Sequence, residues 1–117
     1  MLTTHPCRVA VIGSRTYWNL KAVRDFVAQL PEGCIVISGG ARGVDQTAEQ
    51  AARARGIPVQ IHPADWHQHG KLAGIRRNHD IIQAADVIVA FWDGFSPGTA
   101  HSIQLAKSLN KPSHIMY

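Results

Sequence analysis

An alternation between two residue periods along the whole chain constrains the fold more than any other feature of this sequence. Short runs rich in β-branched residues are apolar on both faces, at 8–12, 34–38, 58–62, 86–91 and 112–117. Runs of this kind are typical of buried parallel strands, because helices cover such strands on both sides. The pattern therefore predicts a sheet of about five parallel strands.

Stretches with helical spacing separate these strands. The first carries apolar residues at steps of three and four over 20–30, and the second lies within 43–56. A third covers 70–85, and a fourth runs from Thr99 to Asn110. This order favours an α/β fold, a Rossmann-like doubly wound parallel sheet with helices on both faces. No linker, repeat or low-complexity segment interrupts it, so we expect residues 1–117 to form one domain.

Composition limits the class of protein. Hydrophobic residues make up 45% of the chain and charged residues 17%, a balance typical of a folded domain rather than a disordered segment. Residues 1–13 lack the basic segment, apolar stretch and cleavage site of a signal peptide. The apolar run 87–92 is too short to span a bilayer. These features predict a cytoplasmic protein with no membrane partner.

The net charge of +4 favours anionic partners. The basic residues are spread along the chain, however, and no block or tail rich in lysine or arginine is present. Proteins that follow a nucleic-acid backbone contact a row of phosphates with such residues. We therefore expect a nucleotide or nucleotide-derived small molecule as the partner, and we do not expect nucleic acid.

Most of the glycines fall in loops that follow the predicted strands. GSR (13–15) follows the first strand, SGGARGVD (38–45) the second, PADWHQHG (63–70) the third and WDGFSPGT (92–99) the fourth. In doubly wound sheets, ligands bind beyond the carboxyl ends of the strands, where the winding direction reverses. The sequence therefore predicts a binding site at this edge of the sheet.

The loop after the second strand is the strongest candidate for phosphate binding. Gly39, Gly40 and Gly43 lack a Cβ, so a phosphate can approach their N–H groups closely. The loop begins at Ser38, Arg42 adds positive charge, and the next helix directs its free N–H groups to the same place. A tight turn without a ligand is the alternative. The loop matches neither GxGxxG nor a P-loop, which weakens a dinucleotide or ATP-hydrolysing hypothesis.

Two other loops contribute further candidates. Gly98 and Thr99 open the fourth helix, although helix capping explains Thr99 equally well. Gly13, Ser14 and Arg15 follow the first strand, and Arg15 is either a phosphate partner or an exposed loop residue.

Within the third helix, adjacent arginines point about 100° apart, so only one of the pair faces the site. We select Arg77, together with Asn78. The rings of Trp66 and Trp92 either stack on a base or pack over the edge of the sheet.

Asp45 and Asp93 are the candidate catalytic residues, because each carboxylate lies in a loop at the predicted edge. Asp45 could equally accept local backbone N–H groups. The histidines His62, His67 and His69 have a spacing that could bind zinc, but no further ligand completes the set. We therefore predict no metal and no cofactor.

These motifs resemble the SLOG superfamily. The matching segments are VIGSR (11–15), SGGARGVD (38–45), PADW (63–66), HGKLAGIRRN (69–78) and AFWDGFSPGTA (90–100). The resemblance implies a Rossmann-like domain that binds or processes nucleotide derivatives at the edge described above.

Two branches of this superfamily imply different activities. The LOG-type phosphoribohydrolases cleave the base from a nucleoside 5′-monophosphate and carry two glutamates shortly after a Gly-Thr pair. Here Gly98 and Thr99 match that pair, but His101 and Ser102 stand where the glutamates fall. A hydrolase of the N-glycosidic bond would then use Asp45 or Asp93. LOG-type proteins also form dimers, which implies a homodimer here.

The other branch is the Rossmann domain of DNA-processing protein A, which binds single-stranded DNA and is similar to this chain at SGGARG-hydrophobe-Asp. A single-stranded nucleic-acid binding module is thus a further alternative. We favour binding of a nucleotide derivative over both alternatives.

Overall fold

A computed structural model describes residues 7–117, apart from the side chain of Lys71. The strands are β1 (Cys7–Gly13), β2 (Cys34–Ser38), β3 (Val59–Ile61), β4 (Val87–Phe91) and β5 (Ser113–Met116). The helices are α1 (Leu20–Ala28), α2 (Val44–Ala54), α3 (Trp66–His69), α4 (Ala73–Ala84) and α5 (Pro97–Ser108), with a 3₁₀ turn at Gly70–Leu72.

All strand pairs are parallel, and the sheet order is β3-β2-β1-β4-β5. Alternate residues of β1 point to opposite faces. Val9 and Val11 pack with α1 and α2 on one face, whereas Ala10 and Ile12 pack with α4 and α5 on the other. The predicted Rossmann-like α/β fold is confirmed.

The third predicted helix differs from the observed structure. Instead of one helix over 70–85, the chain forms the single turn α3, a 3₁₀ turn and then α4. Asp65 caps α3 by accepting the Gln68 N–H at 3.0 Å. Gly70, with φ of +56°, ends that turn in a backbone conformation that residues with a Cβ rarely adopt. The break lets Trp66 project at the edge where the candidate site lies.

Cations hold the carboxyl ends of two helices at the opposite edge of the sheet. The Arg55 Nη1 donates to the carbonyls of Val27 and Leu30, each at 2.9 Å, where α1 ends. The Lys111 Nζ donates to Gln83 and Ala85, at 2.9 and 2.6 Å, where α4 ends. Both contacts add a charged donor to carbonyls at or just beyond the end of a helix and place positive charge at the negative end of its dipole.

No helix within the described part of the chain is long and apolar enough to cross a membrane. The cytoplasmic location predicted above depends in part on residues 1–6, which lie outside the described residues.

Candidate functional site

The winding direction of the sheet reverses between β1 and β4. The chain runs from β1 to β2 and β3 on one side and then crosses to β4 and β5 on the other. Gly13 and Phe91 are register partners at this point, and the Ser14 N–H donates to the Phe91 carbonyl at 3.1 Å. A Cβ on Gly13 would lie 2.4 Å from that carbonyl oxygen and 2.7 Å from the Val44 side chain. Glycine is therefore required where the two strands and α2 meet.

A cleft of about 660 Å³ opens beyond this point. Its volume falls within the range of small-molecule sites, about 300–1,000 Å³. Eight of the fourteen predicted binding and catalytic residues line it, namely Gly13, Ser14, Arg15, Asp45, Arg77, Asn78, Gly98 and Thr99. The full lining is 12–16, 41, 45, 66, 74–75, 77–78, 81, 96–99 and 101–102.

The SGGARG loop uses its own backbone N–H groups internally. The Ala41 N–H donates to the Asp45 carboxylate at 3.2 Å, and the Gly40 N–H donates to the Ser38 Oγ at 3.3 Å. The Ser38 hydroxyl in turn donates to the buried Glu49 carboxylate at 2.6 Å. The protein thus supplies an anion of its own to this loop.

Gly43 joins the SGGARG loop to the GSR loop. Its φ is +80°, and a Cβ there would lie 2.4 Å from the Arg15 carbonyl oxygen. Close packing of two backbones therefore accounts for this glycine. A role of Gly39, Gly40 and Gly43 in phosphate binding stays a prediction.

Asp45 lines the cleft and has a raised pKa. Burial is the main cause, and the nearby Glu49 adds to it. The Ala41 N–H and the positive charge of Arg77 act in the opposite direction, and the pKa of Asp45 is about 6. A carboxyl group with this pKa exchanges its proton close to neutral pH, which is what a general acid or base requires.

Asp93, the other candidate catalytic residue, is bonded within its own loop. Its carboxylate accepts the N–H groups of Ser96 and Phe95, each at 2.8 Å, and the Ser96 hydroxyl at 2.7 Å. These hydrogen bonds lower the pKa of Asp93 to about 2, and the residue does not line the cleft. This arrangement gives Asp93 a structural role, which is to shape the loop before α5.

The start of α5 faces the cleft without a side-chain cap. Ser96 occupies the N-cap position, but its side chain makes no capping hydrogen bond to the helix. Asn19 and Asp65 do cap α1 and α3. Gly98 and Thr99 line the cleft within the first turn of α5, and a Cβ on Gly98 would meet no atom within 4 Å. This helix start is therefore open to a ligand.

Residues of α4 form the wall opposite this helix start. Arg77 lines the cleft, Arg76 does not, and the Arg77 Nη1 donates to the Gly39 carbonyl at 3.3 Å. The Asn78 side-chain amide donates to the Gly98 carbonyl at 3.4 Å and lies 3.3 Å from the His101 Nδ1. With its Nδ1 accepting from Asn78, His101 would turn Nε2–H outward as a donor. Sequence reasoning did not select His101 as a ligand, although its position one turn after Gly98 could have indicated it.

A second, smaller cavity of about 310 Å³ adjoins the cleft. Gly39, Gly40 and Arg42 line this cavity and not the cleft. Trp66 lines both and lies over α4, where its ring carbon Cη2 would be 3.3 Å from a Cβ on Gly74.

The other predicted tryptophan, Trp92, is half-buried and packs against Tyr117, with ring centroids 6.0 Å apart. His62 contacts Gln60 at 3.2 Å, and residues 7–117 contain no group of three or more side chains arranged to hold a metal ion.

A parallel sheet of this order, with a cleft where its winding reverses, defines a Rossmann-like domain. The chain belongs to the YspA, cpYpsA-related SLOG family, whose model matches residues 7–69. It is also 40% identical to the gene 61 protein of Mycobacterium phage D29 over 115 residues, which cover 90% of this chain and 92% of the phage protein. The resemblance to the SLOG superfamily is therefore confirmed.

Solved structures of DNA-processing protein A share the fold. The Helicobacter pylori protein, studied for its single-stranded-DNA binding mode, matches 94% of this chain with a TM-score of 0.79 and 23% identity. The Streptococcus pneumoniae protein matches 93% with a TM-score of 0.81 and 18% identity. This chain spans 65% and 50% of those two chains.

The expectation that nucleic acid is not a partner is wrong. It was based on the lack of a lysine- or arginine-rich block, but the fold is shared with a protein that binds single-stranded DNA. A fold can bring dispersed arginines together, as Arg15, Arg42 and Arg77 meet around the second cavity.

Proposed function

We propose that this protein binds a nucleotide unit, free or within single-stranded nucleic acid, with its phosphate at the start of α5. The observation that carries this proposal is the uncapped first turn of α5 facing the cleft at the switch point. Free N–H groups at a helix N-terminus, with the positive end of the helix dipole, favour a phosphate.

Side chains around this helix start fit the rest of a nucleotide. Arg77 supplies positive charge to the cleft, and His101 offers a hydrogen-bond donor beside Gly98. The half-exposed ring of Trp66 forms an apolar wall on which a base can stack. The glycines of the SGGARG loop let the backbone form the adjoining wall, with Arg15 as a further positive partner.

Membership of the SLOG family supports a nucleotide-type ligand, and the fold shared with DNA-processing protein A supports single-stranded nucleic acid. The two classes share one chemical unit, a phosphate attached to a nucleoside. A site built for that unit accepts either class in principle, so the proposal covers both.

Gly98 offers the most direct test. A Cβ at Gly98 meets no atom within 4 Å, so Gly98→Leu adds a bulky side chain at the helix start, at a residue that lines the cleft, without a Cβ clash. We expect this variant to lose at least about tenfold in affinity for 5′-AMP, 5′-GMP or short single-stranded oligonucleotides, the equivalent of one charge-assisted hydrogen bond. Isothermal titration calorimetry at 150 mM salt measures the loss.

Gln104→Leu is the matched control, because Gln104 is exposed on the same helix and does not line the cleft. Gly40 is less suitable for such a test, since its φ of +75° makes any side chain strained. Unchanged affinity in a folded Gly98→Leu protein would contradict the assignment of the phosphate to the start of α5.

Hydrolysis of the nucleotide N-glycosidic bond is a second candidate, favoured by Asp45 in the cleft with a pKa of about 6. A nearby carboxylate can stabilise the positive charge that develops on the ribose. However, His101 and Ser102 occupy the positions of the glutamates in LOG-type enzymes. We therefore expect little release of free base from 5′-AMP by chromatography. Turnover abolished by Asp45→Asn would instead establish the hydrolase.

A further inference from the structure

We infer that the ligand carries phosphoryl groups on both sides of one nucleoside, and that the second cavity beside Arg42 holds the additional phosphoryl group. The inference rests on the proposed function, because it takes the first phosphate to be at the start of α5. It adds a second anion site and narrows the ligand to a class with two separated phosphates.

The second cavity has the charge of an anion site. It is lined by Arg15, Arg42 and Arg77 and by no carboxylate. Among the described side chains the only ion pair is Lys21–Asp25, so neither Arg15 nor Arg42 has an acidic partner. Both are exposed at this edge of the sheet. Positive charges gathered in a concave site without counter-charges attract an anion.

The two cavities share part of their lining. Arg15, Ala41, Trp66 and Arg77 line both of them. A ligand that contacts these residues in the cleft therefore lies next to the second cavity. Gly39 and Gly40 line the second cavity with their backbone.

Trp66 lies at the boundary between the two cavities, where its ring can stack on the base of a nucleoside whose phosphates occupy them. Its ring lies over Gly74, where the absence of a side chain lets the indole approach α4. The residue is 54% exposed, so part of its ring is free to contact a ligand. Aromatic rings that alternate with positive charges are typical of sites that stack a base and bind the phosphates on either side.

A nucleoside with a phosphate on each side is the internal unit of a single strand, and it also occurs as a free nucleoside 3′,5′-bisphosphate. The two share the chemistry that this surface recognises. A nucleoside diphosphate does not match this surface, because both of its phosphates lie on the same side of the sugar.

The experiment compares adenosine 3′,5′-bisphosphate with 5′-AMP and ADP, using the full chain at 150 mM salt and calorimetry. We expect the bisphosphate to bind at least about tenfold more tightly than 5′-AMP, as one further charge-assisted contact implies. The affinity of ADP should exceed that of 5′-AMP by a smaller factor, although the charge of ADP is similar to that of the bisphosphate. Equal affinity of ADP and the bisphosphate would overturn the inference, because charge alone would then explain the gain.

Two variants test the cavity. Arg42→Gln should reduce the advantage of the bisphosphate over 5′-AMP to within about threefold, whereas Trp66→Leu should weaken the binding of both ligands, because the ring stacks on the base of each. Arg42→Gln should weaken the binding of 5′-AMP far less than that of the bisphosphate, because Arg42 does not line the cleft. Arg53→Gln removes an exposed charge from α2 outside both cavities and should change neither affinity. A full advantage retained in Arg42→Gln would place the second phosphate elsewhere.

The outcomes separate the two proposals. If none of these nucleotides and no oligonucleotide binds, the proposed function fails. If 5′-AMP binds through Gly98 but the bisphosphate binds no better, only the present inference fails. If the bisphosphate is preferred to 5′-AMP, a hexanucleotide is compared with it next. Tighter binding of the hexanucleotide than of the bisphosphate would identify a single strand as the ligand. Equal affinity of the two would identify the free bisphosphate as the ligand.

Discussion

Asp45 holds the SGGARG loop in shape and also lines the candidate binding site. Its carboxylate accepts the Ala41 N–H inside the SGGARG loop, and the same residue lines the cleft. The sequence predicted a carboxylate at this edge and left local hydrogen bonds as an alternative. The sequence could not show that Asp45 both accepts a local N–H group and lines the cleft. This combination depends on how deeply the loop folds over α2 and buries the carboxylate.

The buried Asp45 carboxylate makes stability depend on pH. Its pKa is raised from 3.8 to about 6, so the folded protein binds this proton more tightly than the unfolded chain. The resulting stabilisation is fully present below about pH 4 and is lost as pH rises through about 6, with an upper bound of about 3 kcal/mol.

Asp45→Asn removes the titrating group and keeps an oxygen that can accept the Ala41 N–H. We expect this variant to be more stable than the native protein at pH 7, with a weaker pH dependence between 4 and 6. Urea denaturation at pH 4, 5, 6 and 7 measures both effects. A variant less stable at every pH would show that hydrogen bonding by the carboxylate outweighs the cost of its burial.

At the scale of elements, Lys111 links the end of α4 to the segment before β5. Its two hydrogen bonds to main-chain carbonyls involve a charged donor, and such bonds contribute about 1.5–3 kcal/mol when well shielded. Because Lys111 is half-exposed, we expect Lys111→Met to lower the free energy of unfolding by about 1–2 kcal/mol in urea titrations. Lys107→Met, at an exposed position of α5, is the control and should change it by less than about 0.5 kcal/mol.

The strands could be predicted from the sequence because burial on both faces leaves a continuous apolar run. The observed β2 has the predicted bounds of 34–38, β1 is longer than predicted by one residue at each end, and β4 is shorter by one residue at its start. The bounds of the third helix were harder to predict, because Gly70, the first residue of the predicted helix, ends the turn α3 and a 3₁₀ turn precedes the start of α4 at Ala73. Local backbone conformation overrides periodicity at such a position.

Part of the candidate site could likewise be predicted from the sequence, and part could not. Glycine-rich helix starts could be located from sequence, since they follow the strands directly. Which of them faces the cleft could not be predicted. Asp45 and Asp93 each take up N–H groups of their own loop, and neither α2 nor α5 has a side-chain cap, but the first three residues of α5 line the cleft, whereas Asp45 alone of α2 does. The placement of Arg42 in a separate cavity also depends on how the loop turns, which residue types alone do not specify.

At the scale of the whole molecule, a homodimer stays a prediction. We place its surface at Leu72 and Ile75, which are 55% and 49% exposed, because Ile81 and Ile82 farther along the same segment are buried in the core. We expect a dimer mass by light scattering at high micromolar concentration, and a monomer for Leu72→Glu with Ile75→Glu, because the introduced charges oppose burial. A native protein that stays monomeric under these conditions would contradict the prediction.

The internal bonds of the SGGARG loop have a consequence for kinetics. Because Asp45 and Ser38 already hold the Ala41 and Gly40 N–H groups, the loop does not need an incoming molecule to give it shape. Association then proceeds without a slow closing step, at a rate set by diffusional encounter and by the attraction of a positively charged protein for an anion. Differences in affinity between related ligands should therefore appear as differences in residence time rather than in the speed of capture.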